Sequence, residues 1–322
     1  MPATEFDIIQ RYFREGAGKV SDTHAKTVRC GIGDDCAVLA IPAGEELLLS
    51  VDTLVESVHF PKAYSPALLA RRALAVCVSD LAASGASPLA FTLALTLPVV
   101  DENWLCEFSA ALAQAASEFG VVLVGGDTTR GPLCMSLQVM GSAPAGQALL
   151  RSGAQIGDLI YVSGSVGDAH AALACLGQAP QNLNDDQRYL LARYHAPTPR
   201  LALGFKLRNL ATAAIDISDG LAADLTHIVN ASGVAAVLNL QNLPISPALQ
   251  RTGDAVDSAL SGGDDYELCF TVPASRRADI AVLSESLNLA LTEVGYIEAG
   301  SGLRCYDAQQ NLYSPRGGYQ HF

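Results

Sequence analysis

Acidic residues follow glycine or a short apolar run at four places in this chain, and oxygen donors in such loops can bind a cation. The four segments are 31–35 (GIGDD), 123–127 (LVGGD), 213–219 (AAIDISD) and 261–265 (SGGDD). Aspartate and glycine also dominate ordinary tight turns, so one loop of this kind has a purely structural explanation. Four of them, together with Asp52 and Asp80, indicate a shared metal site.

The segment 213–219 is the most informative, because an apolar run leads directly into acidic residues. Strand alternation puts Asp216 and Ser218 on one face. Ser218 or Asp219 is then expected to cap a helix over about residues 221–230. Two oxygen donors would therefore share one edge of a sheet, where a cation can bind them.

Asp80 lies within an apolar helix. Pro66 opens this helix, which is predicted to end near residue 84. The neighbours Val78 and Leu81 leave little polar surface around Asp80, although a surface turn of the helix is the alternative. Buried carboxylates are usually paired or coordinate metals, so a functional role is predicted for Asp80.

The chemistry of these donors favours a hard cation over zinc. The six histidines are dispersed, with no pair at i, i+4 spacing. Oxygen ligands suit Mg²⁺, which proteins bind through few carboxylates plus substrate phosphates. A nucleoside triphosphate is the predicted ligand, although the chain has neither a P-loop sequence nor protein-kinase motifs. The glycine loop over 164–167 is a weaker phosphate-binding candidate.

Composition excludes several classes of protein. The chain has 322 residues, of which 50% are hydrophobic and 16% charged, and this suits a large core and not disorder. A formal charge of −13 without a basic run argues against nucleic acid as a partner. No window is long enough for a membrane span. Eight cysteines without a C-x-x-C pair indicate a reducing compartment, so a cytoplasmic protein is expected.

The order of the predicted elements indicates an α/β (α+β) fold with mixed sheets flanked by helices. A strand over 46–51 is expected to deliver Asp52 at its end. A second strand, over 121–124, is expected to run into a glycine loop over 125–131. Both strands would thus present acidic residues at their carboxyl ends.

The length of the chain favours two domains of roughly 150 residues each. A segment rich in small residues, 141–157, separates a predicted N-terminal domain, 1–145, from a predicted C-terminal domain, 146–322. Strands and helices alternate in both halves, and no periodic repeat is visible.

Several segments together carry a resemblance to a known family. They are 31–36 (GIGDDC), 50–54 (SVDTL), 59–60 (HF), 78–85 (VSDLAASG), 125–131 (GGDTTRG), 215–220 (IDISDG) and 261–268 (SGGDDYEL). In order and spacing they resemble thiamine-monophosphate kinase over nearly the whole chain. That family belongs, with aminoimidazole-ribotide synthetase and selenophosphate synthetase, to a superfamily of ATP-using homodimers with two α/β domains.

The resemblance implies direct transfer of the ATP γ-phosphoryl group to thiamine monophosphate by a homodimer. It assigns metal binding, ATP binding and dimerisation to the N-terminal domain, and a C-terminal domain completes the site. The implied ligands of several Mg²⁺ ions are Asp35, Ser50, the backbone of Val51, Asp52, Asp80, Asp127, Asp216 and Asp219. The implied ATP contacts are Gly126, Asp127, Arg151 and Ser218. The implied contacts to the thiamine part are His59, Asp264 and Tyr319.

The chemistry of the acceptor agrees with this implied reaction. A phosphate monoester with a second pKa of about 6 is mostly dianionic at pH 7, so no general base is required and no catalytic residue is assigned. Charge neutralisation is required instead, because unit charges ~4 Å apart repel by ~4 kcal/mol at an effective dielectric of about 20. Aspartates that hold Mg²⁺ would supply it.

The sequence leaves three other functions open: a sister ATP-using synthetase, a Mg²⁺-dependent phosphohydrolase and a non-catalytic nucleotide-binding module. The family often has glutamate where Asp264 stands and threonine where Val51 stands. Spacing alone does not rank Asp34 against Asp35 as a ligand. Three of the implied residues also have purely structural explanations. His59 would be a histidine packed at a strand end, Arg151 a solvated charge in the linker, and Tyr319 part of a tail.

Overall fold

The structure of this chain is a computed structural model that describes residues 4–14 and 27–319. The chain forms two compact units, each with its own sheet. They are Met1–Leu81 with Ala86–Gly146, and Ala82–Gly85 with Gln147–Phe322. Ala82 and Ala83 belong to the second unit because they pack in its hydrophobic core. The roles predicted for domains 1–145 and 146–322 remain predictions.

The first unit contains an N-terminal helix and a four-stranded sheet. In chain order its described elements are α1 (Glu5–Ile8), β1 (Val28–Cys30), β2 (Val38–Leu39), β3 (Glu45–Val55), α2 (Pro66–Ala83), β4 (Ser87–Leu97), α3 (Glu102–Phe119), β5 (Val122–Arg130) and β6 (Cys134–Pro144). Thr4 caps α1, since its hydroxyl accepts the Asp7 N–H group and the Asp7 carboxylate accepts the Thr4 N–H group. One π-helical turn, Ile9–Arg14, continues this helix.

The sheet of the first unit has the strand order β3-β6-β4-β5. β3 and β6 are antiparallel over their whole length, with Glu45 opposite Pro144 and Val55 opposite Cys134. β4 and β5 are parallel, and β4 is also antiparallel to β6. β3 and β5 are therefore the two edges of the sheet.

Two strands of this sheet are longer than the sequence predicts. β3 runs to Val55 and not only to Val51, so Asp52 lies within the strand. The glycine loop predicted over 125–131 is mostly the second half of β5, which pairs with β4 as far as Arg130. In both cases a neighbouring strand supplies backbone hydrogen bonds that local propensity does not reveal.

The long helices of the first unit follow their sequence signals. Pro66 occupies the first position of α2. Apolar side chains of this helix, including Leu69 and Leu81, are buried. Asp101 caps α3 by accepting the N–H groups of the next turn. Gly120 ends the helix in the left-handed region.

The second unit contains a larger sheet. In chain order its elements are β7 (Asp158–Ser163), α4 (Asp168–Ala172), α5 (Asp185–His195), α6 (Leu201–Leu207), β8 (Ala213–Asp216), α7 (Leu221–Ser232), β9 (Ala235–Asn239), α8 (Pro247–Gln250), α9 (Ala255–Ser261), β10 (Leu268–Pro273), α10 (Arg277–Leu287), β11 (Leu291–Glu298), β12 (Gly302–Tyr306) and β13 (Leu312–Tyr313). The short elements α8, α9, β12 and β13 are not predicted from the sequence. No helix in the described part of either unit is long and apolar enough to cross a membrane.

The strand order of the second sheet is β13-β12-β9-β11-β7-β10-β8. β12 and β9 are parallel, whereas the other neighbouring strands are antiparallel. One core of this unit contains Leu221, Leu225 and Ile228 of α7 together with Ile215 of β8. Mixed sheets with helices packed on them confirm the predicted α/β (α+β) class.

Candidate functional site

In the first unit, β3 and α2 bring together three residues that the sequence predicts as ligands. Ser50 and Asp52 are partly buried on one face of β3, whereas Leu49 and Val51 are exposed on the other face. The Ser50 hydroxyl donates a hydrogen bond to Asp80 Oδ2. An oxygen-rich group therefore lies between the strand and the helix.

Burial and like charge both act on Asp52. Burial, followed by the charge of Asp80, raises the pKa of Asp52 to about 6, and a hydrogen bond with Cys77 opposes this rise. Burial raises the pKa of the Cys77 thiol as well. A bound cation would favour the ionised form of both carboxylates, so the donor set of Ser50, Asp52 and Asp80 fits a hard cation.

Gly126 and Asp127 lie on β5, at the opposite edge of the sheet. Two strands separate β5 from β3, which corresponds to about 14 Å between Asp52 and β5 at the usual strand spacing. Gly126 has a φ of 151°, and an added Cβ would lie 1.9 Å from the Leu93 carbonyl oxygen. Close pairing with β4 thus explains this glycine. The structure does not place Asp127 beside Asp52, and the roles of Gly126 and Asp127 stay predictions.

Asp35 is exposed in the loop between β1 and β2. This loop begins beside β5, since a Cβ added to Gly31 would lie 4.0 Å from Val124 Cα. Asp34 Oδ1 accepts the N–H group of Asp35 at 2.8 Å, so one oxygen of Asp34 stabilises the turn itself. The contact does not rank the two carboxylates as metal ligands.

His59 lies in the turn that follows β3. Its backbone N–H group donates to the Val55 carbonyl oxygen at 2.9 Å, and its Nδ1 accepts the Val55 N–H group at 3.0 Å. This local pair agrees with the structural explanation of His59. Its predicted contact with the thiamine part stays a prediction.

In the second unit, the turn after β8 lies against residues 261–265, called here the substrate loop because Asp264 is predicted to contact the thiamine part. Backbone pairing continues beyond the strand, because Ile217 and Ser218 accept the N–H groups of Tyr266 and Asp264, both at 2.8 Å. The structure therefore brings the segment that follows Asp216 into contact with Asp264. Predicted ATP-binding and substrate-binding residues are neighbours in this unit.

Two nearby residues, Gly263 and Tyr266, hold Asp264 in its backbone conformation. Asp264 and Tyr266 have φ angles of 74° and 52°, a left-handed region that is strained for residues other than glycine. The Tyr266 hydroxyl donates to Asp264 Oδ1 at 3.0 Å. Gly263 makes the close approach possible, since an added Cβ would lie 2.3 Å from the Ser218 carbonyl oxygen.

Asp224 organises the turn that carries Ser218 and Asp219. Its Oδ2 accepts the N–H groups of Ser218, Asp219 and Gly220 at 3.0, 3.0 and 3.1 Å. The prediction that Ser218 or Asp219 caps α7 is therefore wrong, because the helix follows Gly220 without a side-chain cap. Burial raises the pKa of Asp224 to about 7. Its sequence signal is an aspartate within the apolar first turns of α7.

A buried ion cluster supports the substrate loop, and no sequence signal predicts it. Glu267 is 1% exposed and accepts hydrogen bonds from Arg193 at 2.8 Å, Arg200 at 2.6 Å and Ser163 at 2.5 Å. Because two guanidinium groups neutralise this carboxylate, it belongs to the framework of the unit.

Asp265 connects the substrate loop to the glycine loop over 164–167. Its carboxylate accepts the Gly167 N–H group at 2.6 Å, and burial raises its pKa well above the usual range. A Cβ added to Gly167 would lie 2.6 Å from the Ala259 backbone nitrogen. Close packing therefore explains this glycine without a bound phosphate.

Two further residues predicted by resemblance lie in the second unit. The Tyr319 N–H group donates to the Asp219 carbonyl oxygen at 3.2 Å, so the structure places Tyr319 beside the turn after β8. Arg151 is exposed, and its carbonyl oxygen accepts a hydrogen bond from the Ser232 hydroxyl at 3.4 Å. Its predicted ATP contact stays a prediction.

Within residues 4–14 and 27–319, no group of three or more His, Cys, Asp or Glu side chains is arranged to hold a metal ion. Mg²⁺ in nucleotide enzymes is commonly held by one or two carboxylates plus substrate phosphates. The pair formed by Asp52 and Asp80 is of that kind, and it remains the candidate.

Comparison with known proteins relates the chain to one family. The model of the AIR synthase related protein N-terminal domain matches residues 33–143, and that of the C-terminal domain matches residues 155–308. The thiamine-monophosphate kinase of Salmonella typhimurium is 47% identical, over 100% of this chain and 99% of that protein. The Bacillus subtilis thiamine-monophosphate kinase is 33% identical, over 93% and 95%.

Solved structures give the same result. Thiamine-monophosphate kinase from Stenotrophomonas maltophilia is 45% identical, with a TM-score of 0.85 over 95% of this chain and 97% of that one. AaThiL complexed with AMPPCP and TMP is 30% identical, with a TM-score of 0.79 over 99% and 97%. Hydrogenase maturation protein HypE, at 21% identity and a TM-score of 0.74 over 97% and 94%, shares the fold alone.

The role of Asp224 leads to a prediction about stability. Asp224→Ala leaves three N–H groups of a partly buried turn without their acceptor, so the free energy of unfolding is expected to fall by about 2 kcal/mol or more. Asp224→Asn retains an acceptor oxygen and is expected to lose less. Urea denaturation measures both.

The matched control is Asp307→Ala, which removes an exposed carboxylate that also accepts two turn N–H groups, those of Gln309 and Asn311. Water can replace it there, so a smaller loss is expected. Equal losses for Asp224→Ala and Asp307→Ala would contradict the role assigned to Asp224.

Proposed function

The chain belongs to the thiamine-monophosphate kinase family, and we propose that it transfers the γ-phosphoryl group of ATP to thiamine monophosphate, giving thiamine diphosphate and ADP. The observation that carries the proposal is the backbone pairing of Ile217 and Ser218 with Tyr266 and Asp264. It puts predicted ATP-binding and substrate-binding residues side by side. The complex of AaThiL with AMPPCP and TMP supports the two substrates.

The proposed transfer is a single in-line displacement. An oxygen of the acceptor phosphate forms a bond to the γ-phosphorus while the bond to the β,γ-bridging oxygen breaks, and ADP leaves with the electron pair. The acceptor is already anionic, so the protein must position it and need not remove a proton. In this proposal Ser218 contacts ATP, whereas Asp264 and Tyr319 contact the thiamine part.

We assign Mg²⁺ binding in the first unit chiefly to Ser50, Asp52 and Asp80. The raised pKa of Asp52 supports this assignment, because a bound cation would restore the ionised form that burial and Asp80 disfavour. When bound, Mg²⁺ would neutralise negative charge on the phosphate oxygens. The other proposed ligands are Asp35, the Val51 carbonyl oxygen, Asp127, Asp216 and Asp219.

Other functions fit fewer observations. A phosphohydrolase or a sister synthetase would retain the acidic residues, but relatives of 47% and 33% identity over nearly the whole chain are thiamine-monophosphate kinases. The same relatives are kinases, which disfavours a non-catalytic nucleotide-binding module.

We propose a homodimer that forms through the exposed face of β3. Leu47, Leu49 and Val51 are 46%, 56% and 60% exposed there, on an edge strand of the sheet. Such an apolar stripe is typical of a surface that another molecule covers, and two-fold dimers are the commonest closed assembly. A second apolar segment that could form a dimer interface, residues 91–97, lies on the interior strand β4 with its large apolar side chains buried.

A cytoplasmic location is part of the proposal. It is supported by the eight cysteines, all of which lie in described parts of the chain and are free. Free thiols persist in reducing compartments.

The reaction itself can be tested with ATP whose γ-phosphoryl group is isotopically chiral. Incubation with Mg²⁺ and thiamine monophosphate is expected to give ADP and thiamine diphosphate with inversion at phosphorus, because one displacement inverts the centre. Free phosphate without thiamine diphosphate would favour a hydrolase. Net retention, or a labelled protein trapped without acceptor, would refute direct transfer.

The metal assignment predicts the behaviour of two isosteric variants. Asp80→Asn and Asp216→Asn keep the shape of the side chain but remove a charge that binds Mg²⁺, so each is expected to lower the initial rate by about tenfold or more. Rates measured against Mg²⁺ concentration should rise further for the variants than for the wild type.

Asp279→Asn, which removes an exposed carboxylate paired with Arg276, is the control and should retain the wild-type rate. Thermal unfolding verifies that the variants fold. If Asp80→Asn or Asp216→Asn keeps a near wild-type rate at low Mg²⁺, the substituted residue does not bind the metal.

If the subunits meet through β3, a single charge on the exposed face of this strand should separate them. Leu49→Glu is expected to sediment as a monomer at micromolar concentration, because a buried carboxylate without a partner is costly. Val282→Glu, at a residue that is 67% exposed on α10, should remain a dimer. A monomeric wild-type protein with full activity would rule out a functional dimer.

A further inference from the structure

Residues 313–319, called here the C-terminal strap, run from β13 to the turn after β8. Two contacts secure the end of the strap. The Tyr319 N–H group donates to the Asp219 carbonyl oxygen at 3.2 Å, and the Arg316 carbonyl oxygen accepts a hydrogen bond from the Ser261 hydroxyl at 2.8 Å. The strap therefore touches both segments that carry predicted substrate and ATP residues.

Asp257 of α9 anchors the beginning of the strap. Its Oδ1 accepts a hydrogen bond from the Tyr313 hydroxyl, and its Oδ2 forms an ion pair with Arg316 at 3.0 Å. The Asp257 side chain is only 20% exposed. The hydrogen bond to Asp257 raises the pKa of Tyr313 to about 12, so the phenol remains a donor at any physiological pH.

The strap also lies unusually close to the turn after β8. A Cβ added to Gly318 would lie 2.7 Å from the Asp219 carbonyl oxygen and 2.7 Å from Ala223 Cβ. Glycine alone allows this approach without displacement of backbone. The position of Tyr319 thus depends on an anchor at Asp257 and on a close fit at Gly318.

We propose that Asp257 is a positioning residue for the substrate, which holds the C-terminal strap so that Tyr319 stays beside the Asp219 turn and contacts the thiamine part. The inference rests on the proposed function. Thiamine carries a permanently cationic thiazolium ring, and the face of a tyrosine ring attracts such a cation. Tyr319 is 48% exposed, so its ring is accessible to a ligand.

Asp257 itself lies outside the segments to which ATP and metal roles are assigned, and the strap ends at Tyr319, so the main effect of a change at Asp257 is expected on thiamine monophosphate. Asp257→Asn removes the charge that Arg316 pairs with and weakens the acceptor for Tyr313. We expect KM for thiamine monophosphate to rise about tenfold, while kcat and KM for ATP change less than about twofold. A merely structural role would instead lower the amount of active enzyme and leave both KM values unchanged.

Limited digestion with trypsin tests the strap without an activity assay. Cleavage after Arg316 should be faster in Asp257→Asn than in the wild type, because the arginine loses its partner. Calorimetric titration with thiamine monophosphate alone should show a matching rise in Kd. Asp279→Asn, which also breaks an arginine pair in this unit, is the matched control and should change neither quantity.

Two further variants keep the inference testable if Asp257→Asn folds poorly. Tyr313→Phe removes one hydroxyl from the anchor, and Gly318→Ala displaces the strap from Asp219 while the anchor stays intact. Both should weaken binding of thiamine monophosphate, and Tyr313→Phe should do so without a change in KM for ATP. Wild-type Kd values for thiamine monophosphate in both variants would overturn the role of the strap.

The outcomes separate this inference from the proposed function. A wild-type protein that fails to phosphorylate thiamine monophosphate overturns the proposed function. A wild-type protein that phosphorylates it, with unchanged KM and Kd in all three variants, overturns the inference about Asp257 alone.

Discussion

The continued backbone pairing of β8 with the segment before β10 is the interaction on which the candidate site of the second unit depends. Within the strands, Asp216 pairs with Leu268. Beyond them, hydrogen bonds from Asp264 and Tyr266 to Ser218 and Ile217 extend the ladder. This backbone conformation requires left-handed φ angles at Asp264 and Tyr266, and the strain is of order 1 kcal/mol or more for each residue. A strained segment that remains paired holds its side chains in one place, which suits a binding loop.

Elements with local signals are predictable from this sequence. α2 and α3 begin at Pro66 and after Asp101, as their proline and capping signals indicate, because such signals act within a single turn. The ends of β3 and β5 are not predictable in this way. Their extra residues form strands only because β6 and β4 continue beside them, and a single sequence does not show which strands will be neighbours.

The turn after β8 shows how a local rule fails at a site. Ser218 and Asp219 are good capping residues, and the sequence therefore predicts that one of them caps α7. In the structure Asp224 accepts the N–H groups of the turn from within the helix. This leaves the side chains of Ser218 and Asp219 with no capping role in α7. A capping rule identifies residues that are able to cap, whereas the fold decides which residue does so.

The structure also separates two kinds of buried acid that look alike in the sequence. Glu267 accepts hydrogen bonds from two arginines, and Asp224 accepts three N–H groups, so protein donors surround both carboxylates. Removal of either should cost stability. Asp52 instead lies beside Asp80, whose negative charge adds to the penalty of burial. Two like charges held together by the fold are unfavourable until a cation binds them. This arrangement, more than the number of aspartates, makes the pair the candidate metal site of the first unit.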